Sequence, residues 1–358
     1  MKEQRARLTL TALSPLHIGC GQDYAPYEYL DDTAETVAVF GVEQLQSVIP
    51  LMELHGLSKA ASDPGDPVRS IKKFIGQYKD ELLAQPGLRR IPKLATRLPD
   101  RTHIKRLERT AFDPFTDAAL LPGSSIKGAL RTAWLAAHPG LLRVGIPEDP
   151  LRLLSIGDAP ASNEARALMF LQRVHKKPLH DRPGSPSSVR YDYLLEAIQR
   201  RGKFQTEIIL RQPERGATLR EPIPQLSDLM LAANRHYMTE LDQCLAYLAD
   251  MANDYGYGKD WSAWIDKNIR QKTGKAKDPK TGDIREVTTF GGMLAEGRGF
   301  LLRVGKHGGA ESLTLDGLRQ IRTKYGTKPT TFTMTLTAND TEKPTASEPF
   351  GWVFVQLK

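Results

Sequence analysis

Between Leu226 and Met251 the apolar side chains recur at spacings of three and four: Leu226, Leu229, Met230, Ala233, Tyr237, Leu241, Cys244, Leu245, Leu248 and Met251. That period places them on one face of a helix. A face this long has to be covered, so the stripe predicts a packed core surface with Cys244 as a small buried hydrophobe. Candidate partners lie on both sides in sequence. RLTLTAL (Arg7–Leu13) alternates polar and apolar residues, which predicts a strand with one buried face. TVAVF at 36–40, FQTEIILR at 204–211, FLLRV at 300–304, TTFTMTLTA at 330–338 and GWVFVQLK at 351–358 read as further strands.

Shorter helices are predicted over 41–54, interrupted near Pro50, over the amphipathic 70–83, and over 126–137, 191–200 and 315–326. Residues 270–285 are polar and basic and read as a loop. The order is a strand, helical material and more strands, given twice, which is an α+β plan. At 358 residues the chain exceeds one ordinary core. Two modules are therefore expected, 1–190 and 191–358, the first with a basic insertion over about 85–118.

Charge narrows the class of partner. Lys plus Arg number 50 against 42 Asp plus Glu, a net charge of +8. From Arg89 to Arg131 ten basic residues face four acidic ones, an excess of six, so most of the imbalance sits in one stretch. This favours an anionic polymer. The two cysteines, Cys20 and Cys244, give neither a disulfide framework nor zinc spacing, which fits a reducing cytosol. No apolar run is long enough to span a bilayer, and MKEQRARLTL has no apolar signal core, so a cytoplasmic protein is expected. No cofactor or metal is expected.

The stretch LPGSSIKGALRTAW (Leu121–Trp134) opens as a turn and closes as a helix. Ser124 and Ser125 are suited to cap that helix, and its first amides, unpartnered and at the positive end of the dipole, can meet a phosphate. Gly123 and Gly128 let backbone approach. Lys127 and Arg131, four apart, project from one face as a point charge and a two-pronged donor. The same residues also describe an ordinary capped helix with a solvated basic face. The stretch is not a P-loop, because no glycine directly precedes Lys127.

Taken with SPLHIGCG (Ser14–Gly21) after the first strand and FLLRVGKHGGAESLT (Phe300–Thr314) late in the chain, this stretch resembles the RAMP superfamily of type III CRISPR effector complexes. The likeness is nearest to the fifth-subunit family of the type III-A (Csm) complex. The resemblance implies two ferredoxin-like (RRM-like) modules and a thumb-like hairpin, for which the excursion from Arg89 to Asp113 is the candidate. It implies a subunit near the 3′ end of the guide RNA, stacked on the repeating backbone subunit and active in guide maturation and antiviral defence. Its partners would be guide CRISPR RNA, target RNA, the backbone and small subunits, and host trimming nucleases. RNA-facing residues would be His17, Gly19 and Gly21; Lys105, Arg106 and Arg109; Gly123, Ser124, Ser125, Lys127, Gly128 and Arg131; and Arg303, Lys306, His307, Gly308 and Gly309. The aromatic pair with which free-standing RRMs stack bases is missing, so backbone and shape contacts are expected.

Catalysis is the rival reading. Metal-dependent cleavage needs clustered carboxylates. The nearest candidates, Asp31 with Asp32 and Asp113 with Asp117, read as solvated loop residues. Metal-free cleavage would use His17 as a general base. Asp23 is the only second ionisable group close to it on the same element, so a histidine that orients its own loop is favoured, and the chain is expected not to be an enzyme.

Overall fold

The alternation of RLTLTAL becomes β1 (Glu3–Ala12), in which Leu8, Leu10 and Ala12 are buried while the residues between them are not. The structure is a computed structural model and describes residues 3–94, 106–162, 165–176, 188–213, 218–277, 282–315, 320–323, 326–328, 331, 333–338 and 347–358.

After β1 come β2 (Gly19–Tyr24), β3 (Tyr29–Asp31) and β4 (Thr36–Val39), then four short helices, α1 (Val42–Val48), α2 (Leu54–Ala61), α3 (Pro67–Gly76) and α4 (Lys79–Leu83). These helices close a cluster of their own around Leu45, Ile71, Ile75 and Leu82. β5 (Arg89–Pro92) pairs with β4, completing a small β3–β4–β5 sheet. Next are β6 (Arg106–Thr110), β7 (Leu120–Leu121), α5 (Gly123–Ala137), β8 (Leu154–Ile156), β9 (Ala159–Pro160), β10 (Arg166–His175), β11 (Ser188–Ile198) and β12 (Lys203–Arg211). The long stripe forms α6 (Leu226–Tyr255), followed by α7 (Lys259–Ile265), the hairpin of β13 (Thr273–Lys277) and β14 (Ile284–Thr288), and α8 (Phe290–Ala295). The described chain ends with β15 (Gly299–Arg303), β16 (Ile321–Thr323), β17 (Gly326–Lys328), β18 (Thr333–Thr337) and β19 (Trp352–Leu357).

Two five-stranded sheets organise these elements. The first runs β15–β19–β1–β12–β8 with all neighbours antiparallel. α5 and α6 pack on each other and on this sheet, joined by the Tyr237 hydroxyl, which donates to the Ala129 carbonyl at 3.0 Å. Leu229, Ala233, Leu241, Cys244 and Leu248 of the stripe are buried there as expected, and burial pushes the Cys244 thiol up. The second sheet runs β18–β10–β11–β6–β2, antiparallel except between β11 and β6. Its central strands β10 and β11 are buried on both faces. Leu168, Phe170 and Leu194 join one cluster, while Ala167, Met169, Leu171, Leu195 and Ala197 join another.

That double burial explains the main departure from sequence expectation. Residues 191–200, expected as a helix, lie largely in β11, because a period of two fits a strand covered on both sides and overrides the helix-forming residues there. The basic segment expected as a loop forms the β13–β14 hairpin. Within the expected helix over 315–326, residues 321–323 are a strand. α5 starts at Gly123, with Pro122 rather than a serine at its N-cap. The boundary expected at 190 falls inside β11, and both sheets draw strands from either side of it, since β1 pairs with β12 and β19. Residues 95–105 of the expected basic insertion, with Lys105 and His103, lie outside the described residues. The strands that flank them, β5 and β6, belong to different sheets.

Candidate nucleic-acid interface

β1 and β15 are each antiparallel to β19, so they run in the same direction and their following loops leave the first sheet at the same rim. The loop after β1 carries His17 and Ile18, and the loop after β15 carries Val304–Gly309. Backbone hydrogen bonds sew the two together. Lys306 donates to the His17 carbonyl at 2.8 Å, Gly351 donates to Pro15 at 3.0 Å, and Val304 donates to Gly351 at 2.8 Å. Gly305 makes this approach possible: its φ is +85°, and a Cβ there would stand 2.6 Å from the His17 oxygen.

α5 supplies the opposite wall. Ser125, Gly128, Ala129 and Thr132 face Ile18, Gly19, Arg303, Lys306 and Leu313 across an open groove. All three sequence stretches singled out above therefore meet in one place. Gly128 leaves backbone uncovered on the helix wall, with nothing within 4 Å of where a Cβ would sit. The Lys306 ammonium stands at the groove with its side chain about half exposed.

The helix-start cations do not join it. Neither Lys127 nor Arg131 lines the groove; both are engaged elsewhere. Lys127 donates to the Leu154 carbonyl at 2.6 Å, and Arg131 is ion-paired with Asp149. Burial lowers the Lys127 ammonium from its usual range. The first helical amide is also taken, since Gly123 donates to Asp158 Oδ1 at 2.8 Å. Gly123 is buried against Ile156, while Ser124 is exposed at the helix start.

Beneath the groove lies a charged cluster that sequence alone did not reveal. His17, its side chain fully buried, donates from Nδ1 to the Glu196 carbonyl at 2.8 Å. Its Nε2 faces Glu108 Oε2 at 3.3 Å. Lys306 Nζ contacts both Glu108 oxygens, at 2.9 and 3.2 Å, and Arg106 comes to 3.4 Å from the carboxylate. The His17 imidazole and then Lys306 hold Glu108 at about 2, against its burial. His307, at a φ of +70°, stands 5.8 Å from His17 between ring centroids. Burial, with the charges of His17 and Lys306, pushes it down to about 4. Glu108 had no sequence signal: it sits in a five-residue strand, RLERT, and only the pairing of β6 brings it under His17.

The remaining candidates are placed as follows. Arg303 is buried, donating to the Phe350 carbonyl at 3.1 Å, and lies against the Trp352 ring. Gly308 and Gly309 line, with Arg303 and His307, an adjoining pocket against α6. Gly21 is exposed on β2. Arg106 also pairs with Asp23 at 2.6 Å. Arg109 pairs with Asp117 at 2.5 Å and lies over the Phe112 ring at 3.3 Å. Asp117 receives Arg89 as well, and the buried Glu196 carboxylate accepts from the Tyr24 hydroxyl and the Thr110 amide, each at 3.2 Å. Asp113 caps a turn, accepting from Phe115 and Thr116 at 2.8 and 3.0 Å, and those two amides lower its carboxyl. Asp31 and Asp32 are ion-paired with Lys93 and Arg90. These contacts give both carboxylate pairs structural partners.

A family model described as the RAMP superfamily matches residues 9–326. No curated protein matches the chain in sequence. Two solved structures are similar over nearly the whole length. One is a chain of a Csm–crRNA–target RNA ternary complex of a type III-A CRISPR-Cas system, determined by cryo-EM. It is 18% identical, with a TM-score of 0.61, and the match covers 99% of this chain and 100% of that one. The other is Csm5 of T. onnurineus, a crystal structure, 16% identical with a TM-score of 0.55, covering 96% and 99%. At these identities the likeness is one of fold. Among the described residues no helix is long and apolar enough to cross a membrane.

Proposed function

This chain belongs to the RAMP superfamily, and from that premise we propose that it is a non-catalytic RNA-binding scaffold subunit of a type III-A CRISPR ribonucleoprotein. In this reading it caps the guide RNA near its 3′ end, supports guide maturation and assembly, and works in the cytoplasm. Its partners are guide and target RNA, the backbone and small subunits, and trimming nucleases. In this reading the fold is built from two ferredoxin-like modules, with the excursion from Arg89 to Asp113 as the thumb-like element.

One observation carries the proposal. Three segments more than a hundred residues apart line a single groove with backbone, small side chains and the Lys306 ammonium. Such a surface suits a sugar–phosphate backbone better than base edges, because it offers charge and close approach without aromatic platforms. The rival reading, a metal-independent guide-precursor endoribonuclease using His17, is disfavoured by burial: the His17 side chain is 0% exposed and one ring nitrogen is committed to the Glu196 carbonyl.

Filter binding of guide RNA at several salt concentrations, with the chain alone and in its assembled complex, tests the reading. Lys306→Ala is expected to weaken binding and reduce the log–log salt slope by about one. Lys127→Ala is expected to leave the slope unchanged, because its ammonium is held by the Leu154 carbonyl. An unchanged slope for Lys306→Ala refutes the groove as the RNA contact.

A further inference from the structure

His17 presents an unusual arrangement for a purely structural histidine. A carbonyl can only accept, so the 2.8 Å bond to Glu196 commits Nδ1 as a donor and leaves Nε2 as the ring atom that takes up either a proton or a metal ion. That nitrogen is buried and has no hydrogen-bond partner of good geometry among the described residues. It looks across 3.3 Å at a Glu108 carboxylate oxygen, which is an acceptor. A pair so placed holds a cation between its two atoms: a proton, which makes an imidazolium–carboxylate pair, or a metal ion. The spacing is about the edge of a tetrahedron whose metal–ligand bonds are about 2.0 Å.

His307 completes a set. Its Nε2 is likewise buried and without a hydrogen-bond partner among the described residues. One donor atom from each of His17, Glu108 and His307 lies within 4.8 Å of the others. The backbone of His307 is held at a φ of +70°, a conformation that costs a residue with a side chain, and the turn that imposes it keeps the ring over His17. The Nδ1–carbonyl bond of His17 is also the outer contact that orients metal-ligating imidazoles.

We propose that His17, Glu108 and His307 form a site for a divalent transition metal of the zinc class, with Lys306 as its competitor for the carboxylate. Two imidazoles and one carboxylate match zinc or cobalt, whereas magnesium and calcium take oxygen donors. Lys306 contacts the same carboxylate at 2.9 Å, but its side chain is about half exposed and can swing into the groove. Metal binding therefore does two things: it ties the loop after β1 to the loop after β15, and it turns the Lys306 ammonium outward. The site is structural, since it lies beneath the groove floor. It stands independently of the RNA reading, because it is measured without RNA.

The full chain, stripped with EDTA and exchanged into chelator-free buffer at pH 7.5, is titrated with Zn²⁺ by calorimetry and against a chromophoric chelator. Mg²⁺ serves as the parallel probe, and Co²⁺ as a spectroscopic one. One equivalent of Zn²⁺ is expected, with Co²⁺ giving the intense visible bands of a tetrahedral site and Mg²⁺ giving no heat. His17→Ala, His307→Ala and Glu108→Gln should each weaken Zn²⁺ at least about tenfold, while His236→Ala, at a distant histidine, should not. Lys306→Ala should tighten Zn²⁺ several-fold, the opposite of a general loss of structure. If His17→Ala fails to fold, His307→Ala and Lys306→Ala, both in the loop after β15, decide the matter. Zinc stoichiometry indifferent to His307→Ala, or affinity unchanged or weakened in Lys306→Ala, overturns the proposal.

Discussion

Gly305 is where the two groove loops touch most closely, and replacing it by alanine separates two costs. The first is conformational. At a φ of +85° a residue with a Cβ loses about 1–2 kcal/mol, partly offset by the stiffer unfolded chain, which returns about 0.4–1 kcal/mol. The second is steric. The added Cβ would lie 2.6 Å from the His17 carbonyl oxygen and 2.8 Å from Ile18 Cδ1. The isoleucine tip can move. The carbonyl cannot move easily, because it holds the Lys306 amide at 2.8 Å and the His17 ring is anchored at Glu196. Overpacking of this kind costs about 1–3 kcal/mol. Gly297→Ala is the matched control, with a φ of +67° and nothing within 4 Å of its Cβ, so it bears the conformational cost alone. Urea titrations followed by tryptophan fluorescence, at equal protein concentration, should show Gly297→Ala destabilised by about 1 kcal/mol and Gly305→Ala by about 2–4 kcal/mol. Equal midpoints for the two variants would falsify the claim that the loops are pressed together at this point.

Other perturbations follow from the same structure. A Cβ at Gly123 would fall 2.1 Å from the Ile156 oxygen, so Gly123→Ala should cost about 3 kcal/mol and lower the yield of folded chain, read by the same titration. Burial pushes Glu348 up to about 7, although Arg200 at 3.4 Å pulls the other way. The folded state therefore favours the protonated acid, and this contribution is complete below the unfolded value near 4.5 and lost as pH rises through 7. Stability should fall by up to about 3 kcal/mol between pH 4.5 and 7.5, and Glu348→Gln should flatten that slope in urea midpoints measured across the range. Guide-precursor RNA incubated with the chain in EDTA should remain intact on a denaturing gel, and a specific cut lost in His17→Ala would restore the nuclease reading.

Much of the scaffold could be read from the letters, because the period of its apolar residues matches its exposure. The α6 stripe and the alternation of β1 are each set by one buried face, while the strands at 299–303 and 352–357, buried along most of their length, are legible as runs of β-favouring Phe, Leu and Val. β11 escaped because both its faces are covered, so the alternation disappears and helix-favouring letters such as Leu194, Leu195, Glu196 and Ala197 dominate locally. The site divides in the same way. Gly19, Ser125, Gly128, Arg303 and Lys306 were legible as small or basic residues in conspicuous stretches, and they do share the groove. Lys127 and Arg131 look identical in sequence, yet their contacts with Leu154 and Asp149 depend on a segment about twenty residues later folding back along α5. Glu108 could not be found at all, since the partner of His17 is chosen by sheet pairing across 91 positions of chain.

The sandwiching of β19 between β1 and β15 has a temporal consequence. During synthesis the segment 352–357 leaves the ribosome after everything it joins. Until then no strand of the sheet lies between β1 and β15 to set their register. The groove thus waits on a strand that contributes none of its walls: a nascent polypeptide stalled before residue 352 would carry every wall residue yet lack the strand that sets β1 beside β15.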